Sequence, residues 1–304
     1  MTSSTDAEQA TVADFWSKRK VTSGNWWGNT VTRRHINMRV AGDSSGVAGG
    51  GFLKLGREFV GDKPLSLGVS VGCGRGQKEM QLIEAGIVER MICYDLAVSR
   101  IEDARALAAE KNLSDRMEFI IGDAFAAVRE PAFDLVHWNN SLHHMFDVPA
   151  AVAWSHHVLK PGGLLMMDDY VGPSRLQVDD RALEIINAIR APMPERLLQN
   201  PRGPLPRQIT RDWLENMIRK DPSETVDAER TMPAIAAHFK DAVVRPTGGI
   251  GYFLGLNGIY GNLDMTSDED RTILMHTLLI DQLYTDLNPK STLYAVVIAR
   301  KPAS

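Results

Sequence analysis

The chain of 304 residues is long enough for one large domain, or for one domain with an appended cap. Its net charge of -4 at pH 7 gives no electrostatic reason to expect a nucleic acid or an anionic membrane as the partner. Two cysteines indicate neither a disulfide framework nor a zinc site, and no apolar run is long enough to cross a bilayer, so we expect a cytoplasmic protein.

Residues 1–64 are predicted to form an N-terminal arm or lid. The arm carries aromatic and basic side chains, and Trp27, Arg34 and His35 are its candidate contacts to a substrate. In the alternative interpretation its tryptophans only anchor the arm to the rest of the protein. A stretch rich in glycine and serine, residues 42–51, would suit a hinge between the arm and the core.

A turn with glycine at every second position follows the first predicted strand, Leu65–Val71. Gly72, Gly74 and Gly76 permit a positive φ and let a ligand approach where a Cβ would block it. A helix is predicted directly afterwards, over residues 77–85. This order of strand, glycine turn and helix is typical of the nucleotide-binding corner of a doubly wound α/β fold. The spacing lacks the last glycine of the dinucleotide fingerprint.

Four more apolar strands are predicted to alternate with helices, at residues 91–95, 117–121, 133–138 and 164–167. The first of these ends in Asp95, about 20 residues beyond the glycines, where a carboxylate can accept ribose hydroxyls. The alternation predicts a parallel sheet with its ligands at the carboxyl ends of the strands.

Four motifs in this order resemble those of the class I S-adenosylmethionine-dependent methyltransferases. They are the glycine turn, Asp95 after the second strand, Gly122-Asp123-Ala124 after the third and Leu159-Lys160-Pro161-Gly162-Gly163 before the fifth. The resemblance covers residues 65–173. It implies a doubly wound, seven-stranded, mostly parallel Rossmann-like sheet, with S-adenosylmethionine as the cofactor and S-adenosylhomocysteine as the product.

The resemblance also assigns cofactor contacts. The glycine turn would lie against the methionine part of the cofactor, Asp95 would hold the ribose and Asp123 the adenine amino group. Leu96 and Ala124 would flank the adenosine. Apart from the resemblance, the side-chain amide of Asn139 could hold the cofactor or the substrate. The family often has an acid two residues before the first glycine. Here that residue is Ser70, whose hydroxyl could hydrogen-bond the amino group of the cofactor without the help of a charge.

The chemistry is expected just beyond the fourth strand, where His143 and His144 lie side by side. A general base with a pKa near neutral helps to methylate a hydroxyl, because it removes the proton as the new bond forms. A narrower resemblance to small-molecule O-methyltransferases implies that His143 is this base and that Asp169 orients it. His144 is the alternative base, and Tyr170 is a candidate contact to the acceptor.

A metal site is a further possibility that the sequence raises. Asp168 and Asp169 could bind a divalent cation together with a histidine. Neighbouring side chains on a strand point to opposite faces, however, so one site seldom takes both. We therefore predict no metal.

The remaining segments are predicted to complete the fold around a cofactor-binding core, residues 65–172. Residues 173–240 would form a helical cap over the acceptor pocket, and residues 241–304 would add the last strands and helices. The long insertions favour a homodimer. Nucleic acid is not expected as the substrate, because the Asn-Pro-Pro-aromatic type of signature is absent after the fourth strand.

These features together predict a methyltransferase that acts on a hydroxyl of a small molecule. One alternative is C- or N-methylation, with His143 as a hydrogen-bond donor to the substrate. The other is a protein that binds the cofactor without catalysis and serves as a partner. The fold alone does not decide among them.

Overall fold

A computed structural model of the chain describes residues 6–18, 25–201, 203–212 and 214–303. Its centre is a seven-stranded sheet. The strands are β1 (Leu65–Val71), β2 (Val88–Asp95), β3 (Met117–Ile121), β4 (Phe133–Asn139), β5 (Leu159–Tyr170), β6 (Val243–Gly248) and β7 (Tyr294–Arg300). They lie in the order β3-β2-β1-β4-β5-β7-β6. The first five strands pair in parallel, whereas β7 is antiparallel to both β5 and β6. This confirms the predicted doubly wound, mostly parallel sheet.

Helices cover both faces of the sheet. The first six are α1 (Asp6–Lys18), α2 (Thr30–Ala41), α3 (Gly50–Val60), α4 (Gln77–Glu84), α5 (Val98–Glu110) and α6 (Ala124–Ala127). The other five are α7 (Val148–Val158), α8 (Asp180–Arg190), α9 (Leu214–Lys220), α10 (Thr231–His238) and α11 (Asp268–Leu287). The helices α3, α4 and α5 pack on one face, and α6, α7 and α10 pack on the other. Because both faces are covered, consecutive side chains of the central strands β1 and β4 are buried on both faces of the sheet.

The segment predicted as an arm reaches two parts of the molecule. Phe52 and Leu55 of α3 are buried against the sheet, so α3 belongs to the layer that covers it. The helix α1 lies against α5, where the hydroxyl of Ser99 donates to the carbonyl of Ser17 and Arg100 Nε donates to the carbonyl of Trp16. The separation of residues 1–64 as a lid stays a prediction.

The segment predicted as a cap is attached at two places. The helix α8 packs against a π-helical turn, Ile250–Gly255, whereas α10 packs against α7 on the sheet. The division at residues 172 and 240 stays a prediction. Among the described residues, no helix combines the length and the apolar character that crossing a bilayer requires.

Candidate active site

The glycine turn joins β1 to α4 with all three predicted glycines at positive φ. Gly72 Nα donates to the carbonyl of Tyr94, which ties the turn to the end of β2. A Cβ on Gly72 would lie 2.8 Å from Ser141 Cβ, and one on Gly76 would lie 2.7 Å from a ring carbon of Phe119. A Cβ on Gly74 would point into open space. The turn is therefore packed from behind and open at Gly74, which is the shape of a ligand cradle.

Asp95 is half-buried at the carboxyl end of β2. Its carboxylate accepts a hydrogen bond from Gly74 Nα at 2.7 Å and one from Ala97 Nα at 2.8 Å. Burial raises the pKa of Asp95, and these two hydrogen bonds act to lower it. A carboxylate offers about four acceptor positions, so two remain for a ligand beside the open glycine turn.

The other predicted contacts to the cofactor lie along the same edge of the sheet. Asp123 caps α6, where its carboxylate accepts from Phe125 Nα at 2.8 Å, and Ala124 is buried behind it. Leu96 and Asn139 are half-buried at the ends of β2 and β4. The sequence thus placed these four residues at the edge where a parallel sheet binds its ligands.

Ser70 lies behind the turn rather than beside the open cradle. It is buried, and its hydroxyl donates to Glu79 Oε1 at 2.7 Å. His137 Nδ1 contacts the same oxygen at 3.1 Å. Burial acts to raise the pKa of Glu79, but the hydrogen bond from His137 is among the contacts that lower it overall. This geometry does not support the predicted contact between Ser70 and the cofactor, since its hydroxyl is already engaged.

His143 and Asp169 form a buried hydrogen-bonded pair at the ends of β4 and β5. Asp169 also accepts from Ser141 Nα and Leu142 Nα, each at 2.8 Å. Burial acts to raise the pKa of Asp169, but the His143 charge and these hydrogen bonds hold it below its usual value. An ionised carboxylate only accepts, so His143 Nδ1 donates to it and Nε2 is left as the acceptor. This is the pairing that the narrower resemblance implied.

His144 has different surroundings. Its ring lies 4.1 Å from that of His143 and 5.1 Å from that of Trp16 in α1, and its Nδ1 contacts the hydroxyl of Ser223 at 3.1 Å. Burial and the charge of His143 lower the pKa of His144 to about 4. For His143, burial also acts to lower the pKa, but Asp169 outweighs it and the pKa is raised. Of the two histidines, His143 is therefore the stronger base.

Two carboxylates that sequence reasoning missed complete this cluster. Glu224 Oε1 lies 3.8 Å from His143 Nε2, and Asp221 Oδ2 lies 3.9 Å from His144 Nδ1. Both come from the turn after α9, which has no local motif. His143, His144 and Glu224 can each bring one ligand atom within 4.8 Å of the others, so these three could hold a metal ion.

Asp168 does not join this cluster. Its strand neighbour Asp169 faces His143, whereas Asp168 interacts electrostatically with Lys78 and His137 on the other face. The alternation of side chains along a strand separates the two carboxylates, as expected. The structure therefore offers no metal site made of Asp168 and Asp169.

The candidate acceptor contacts are dispersed. Trp27 is 45% exposed and packs against Trp26, and exposed Arg34 donates from Nε to the carbonyl of Ser44. His35 lies in the field of Arg39 and Asp286, and burial lowers its pKa to about 4. Tyr170 is buried with its ring 6.1 Å from that of His143, but its hydroxyl donates to the carbonyl of Pro173. Only Tyr170 thus lies beside the histidine pair.

Comparison with known proteins identifies a matching family model and several relatives that are similar in sequence. A family model described as "methyltransferase domain" matches residues 69–226, more than half of the chain. The chain is 29% identical over 140 residues to 27-O-demethylrifamycin SV methyltransferase of Amycolatopsis mediterranei, a match covering 43% of this chain and 51% of that protein. It is 35% identical over 108 residues to a probable chloroplastic tocopherol O-methyltransferase of Oryza sativa, covering 34% and 29%. The chain thus spans about half the length, or less, of these relatives.

A solved structure extends the likeness to the whole fold. Geranyl diphosphate C-methyltransferase from Streptomyces coelicolor, determined with S-adenosyl-L-homocysteine, is 11% identical and matches with a TM-score of 0.56 over 98% of this chain and 99% of that one. At this identity the likeness shows the fold. The family model matches the segment that carries the glycine turn, Asp95 and the histidine pair. The chain belongs to the class I S-adenosylmethionine-dependent methyltransferases, and S-adenosylmethionine is its cofactor.

Proposed function

We propose that this protein transfers a methyl group to a hydroxyl of a small molecule and that His143 is the general base. The observation that carries the proposal is the buried pair of His143 and Asp169, which leaves Nε2 of the imidazole as a proton acceptor. S-adenosylmethionine, when bound, supplies a methyl group activated by the positive charge on sulfur. The chain must then position the acceptor and receive its proton.

The cradle fits this cofactor. The backbone is open beside Gly74, where a Cβ would meet nothing within 4 Å. The carboxylate of Asp95 borders that opening and keeps acceptor positions for hydroxyl groups. Asp123 lies one strand further along the same edge and would take the adenine amino group.

The surroundings of His143 suit proton transfer. As the acceptor oxygen forms its bond to the methyl carbon, the carbon–sulfur bond would break and S-adenosylhomocysteine would leave. The proton of the acceptor moves to Nε2, and the imidazole becomes positively charged. Asp169 bonds to Nδ1, and Glu224 lies 3.8 Å from Nε2, so two carboxylates stabilise that charge. A positioned base contributes roughly 10²- to 10⁴-fold in rate.

The names of two relatives favour oxygen as the acceptor atom, since both are named for methylation at oxygen. A C-methyltransferase shares the fold, however, so the alternatives of C- or N-methylation and of a binding protein without catalysis stay open. A small-molecule acceptor is part of the proposal, and a homodimer in the cytoplasm stays a prediction.

A divalent cation is a second way to activate the hydroxyl. His143, His144 and Glu224 could hold it, with positions left for the acceptor oxygen. In that case the cation, rather than the imidazole, would lower the pKa of the hydroxyl.

The test is transfer of radiolabelled methyl from S-adenosylmethionine to a panel of phenols, catechols, sugars and matched amines. For any hydroxyl that is methylated, we expect His143→Ala to lower kcat by about 10²- to 10⁴-fold. His144→Ala, the matched control, should lower it far less, and both variants should bind S-adenosylhomocysteine like the wild type.

Three outcomes would contradict the proposal. Methylation of amines alone would favour the N-methyltransferase, and cofactor binding without any turnover would favour the binding protein. Loss of activity with EDTA, restored by Mg²⁺, Mn²⁺ or Zn²⁺, would favour the cation over the base.

A further inference from the structure

Two half-buried side chains of opposite charge lie near the glycine turn without a partner. Lys78 is in the first turn of α4, and Asp168 is near the carboxyl end of β5. Neither side chain makes a hydrogen bond or an ion pair within 4.0 Å to any residue that the structure describes. Buried charges in folded proteins are normally paired. Two partly buried charges without a partner therefore suggest a binding site for a charged ligand.

The two charged side chains interact electrostatically without a direct contact, and the space between them is called the gap below. Burial raises the pKa of Asp168 to about 6, and the charge of Lys78 acts to lower it. Burial lowers the pKa of Lys78, and the charge of Asp168 acts to raise it. The two groups are thus close enough to interact but are more than 4.0 Å apart. A ligand with one negative and one positive group could satisfy both.

The gap lies on the far side of the glycine turn from Asp95. Asp95 ends β2 and Asp168 lies near the end of β5, with β1 and β4 between these strands. Lys78 Nζ is 3.0 Å from the position that a Cβ on Gly49 would take, so the amino terminus of α3 borders the gap. A ligand whose ribose lies at Asp95 would therefore extend along the turn toward Lys78 and Asp168.

Nearby charged groups are already engaged. Glu79 Oε1 is bonded by Ser70 and His137, and the side chain is fully buried. Arg33 donates to the carbonyls of Trp27, Gly28 and Gly46. Glu79 Oε2 and His137 Nε2 have no hydrogen-bond partner, but both atoms are fully buried behind the turn, whereas Lys78 and Asp168 are only half-buried. Lys78 and Asp168 are thus the charged groups here that a ligand can reach.

We infer that Lys78 binds the carboxylate, and Asp168 the ammonium, of the amino-acid part of S-adenosylmethionine. This inference rests on the assignment of the cofactor but not on the acceptor or on His143. It also accounts for the absence of an acid at position 70. The carboxylate for the ammonium group comes from β5 instead of β1, and the serine hydroxyl serves Glu79.

The experiment is calorimetric titration with three compounds that differ only in this part of the molecule. S-adenosylhomocysteine has the complete amino-acid group. Decarboxylated S-adenosylhomocysteine keeps the ammonium group, and 5′-methylthioadenosine lacks both charges. The variants are Lys78→Met, Asp168→Asn and the control Lys54→Met, which changes an exposed lysine of α3.

Each ligand should report a different contact. Both Lys78→Met and Asp168→Asn should weaken S-adenosylhomocysteine by about 10- to 100-fold, as expected for the loss of a hydrogen bond between charged groups. The decarboxylated compound should be sensitive to Asp168→Asn alone. Binding of 5′-methylthioadenosine should not change in either variant, which also shows that the variants are folded.

The inference is overturned if Lys78→Met and Asp168→Asn bind S-adenosylhomocysteine like the wild type. It is also overturned if they weaken 5′-methylthioadenosine equally, since the residues would then act through the shape of the whole cradle. A wild-type protein that binds 5′-methylthioadenosine but gains nothing from the amino-acid group would refute this inference and leave the cofactor site intact.

Discussion

The two halves of the ligand-binding edge are built in different ways. At the ends of β1 and β2, which belong to one βαβ unit, backbone N–H groups of the glycine turn donate to the Asp95 carboxylate and to the carbonyl of Tyr94. At the ends of β4 and β5, side chains from separate segments meet: His143, Asp169, Glu224 and, from the amino-terminal helix, Trp16. The first half depends on backbone conformation and the second on long-range packing.

This difference has a functional consequence. The cofactor is the same for every member of the family, and a cradle made of backbone suits a constant ligand. The acceptor half draws on the 221–224 turn and on α1, which can vary in sequence without disturbing the sheet. We therefore expect substitutions in the first half to change binding of the cofactor, and substitutions in the second half to change turnover.

The largest expected effect on binding is that of Asp95→Ala. The variant should weaken both S-adenosylhomocysteine and 5′-methylthioadenosine by about 10- to 150-fold, because both share the ribose and hydrogen bonds to a charged group contribute roughly 1.5–3 kcal/mol. Calorimetry measures both constants. Asp115→Ala, at an exposed position, is the control.

A loss confined to S-adenosylhomocysteine would contradict this assignment. It would place Asp95 at the amino-acid group and exclude the arrangement proposed for Lys78 and Asp168. Loss of both ligands through unfolding is distinguished by the thermal unfolding midpoint, since Asp95 also supports Gly74 and Ala97.

The dependence of ligand affinity on pH should distinguish contacts to the amino-acid group from contacts to the adenosine. Burial raises the pKa of Asp168 to about 6, and the charges of Lys78, Asp169 and His137 act on it as well. An ammonium group binds the ionised carboxylate, so affinity for S-adenosylhomocysteine should be nearly full about one pH unit above that pKa. It should be about half of its maximum at the pKa and fall by up to about tenfold per pH unit below it. The measurement is calorimetry between pH 5 and pH 8.

Two comparisons control this pH profile. Affinity for 5′-methylthioadenosine should stay constant where that for S-adenosylhomocysteine falls, because it has no ammonium group. Asp168→Asn should flatten the profile of S-adenosylhomocysteine. An unchanged slope in Asp168→Asn would assign the titration to another group and contradict the role of Asp168.

The sequence predicted the cofactor half well because its signals are local. Glycines at positions 72, 74 and 76 need positive φ, and Asp95 follows at a spacing set by one helix and one strand. The fifth strand was predicted too short, at residues 164–167. It runs from Leu159 to Tyr170, because the Pro-Gly-Gly segment forms an irregularity in its pairing with β4 instead of ending it.

The acceptor half could be predicted only in part. The resemblance to O-methyltransferases predicted His143 and Asp169 from their spacing. Glu224 and Asp221 could not be predicted, because their turn carries no sequence motif. Lys78 was missed because a lysine in the first turn of a helix is normally solvated. Only the packing of α3 beside it, seen at Gly49, reveals that its charge is half-buried.

The smallest expected effect on binding is that of Ser70→Ala. The hydroxyl donates to buried Glu79, which would keep only His137 as a side-chain partner. Loss of this hydrogen bond should lower the free energy of unfolding by about 1–3 kcal/mol, since a buried carboxylate loses a partner. Affinity for S-adenosylhomocysteine should not change. Urea unfolding and calorimetry on the same preparation measure both quantities.

Ser155→Ala is the matched control on the other face of the sheet. Its buried hydroxyl accepts from Trp138 Nε1 and donates to the carbonyl of Ala151, so this variant should also be less stable and bind the cofactor normally. If Ser70→Ala alone weakened S-adenosylhomocysteine, and 5′-methylthioadenosine were unaffected, the serine would contact the amino-acid group directly. The β1 position would then keep its family role through a neutral hydroxyl, and Asp168 would supplement that contact instead of replacing it.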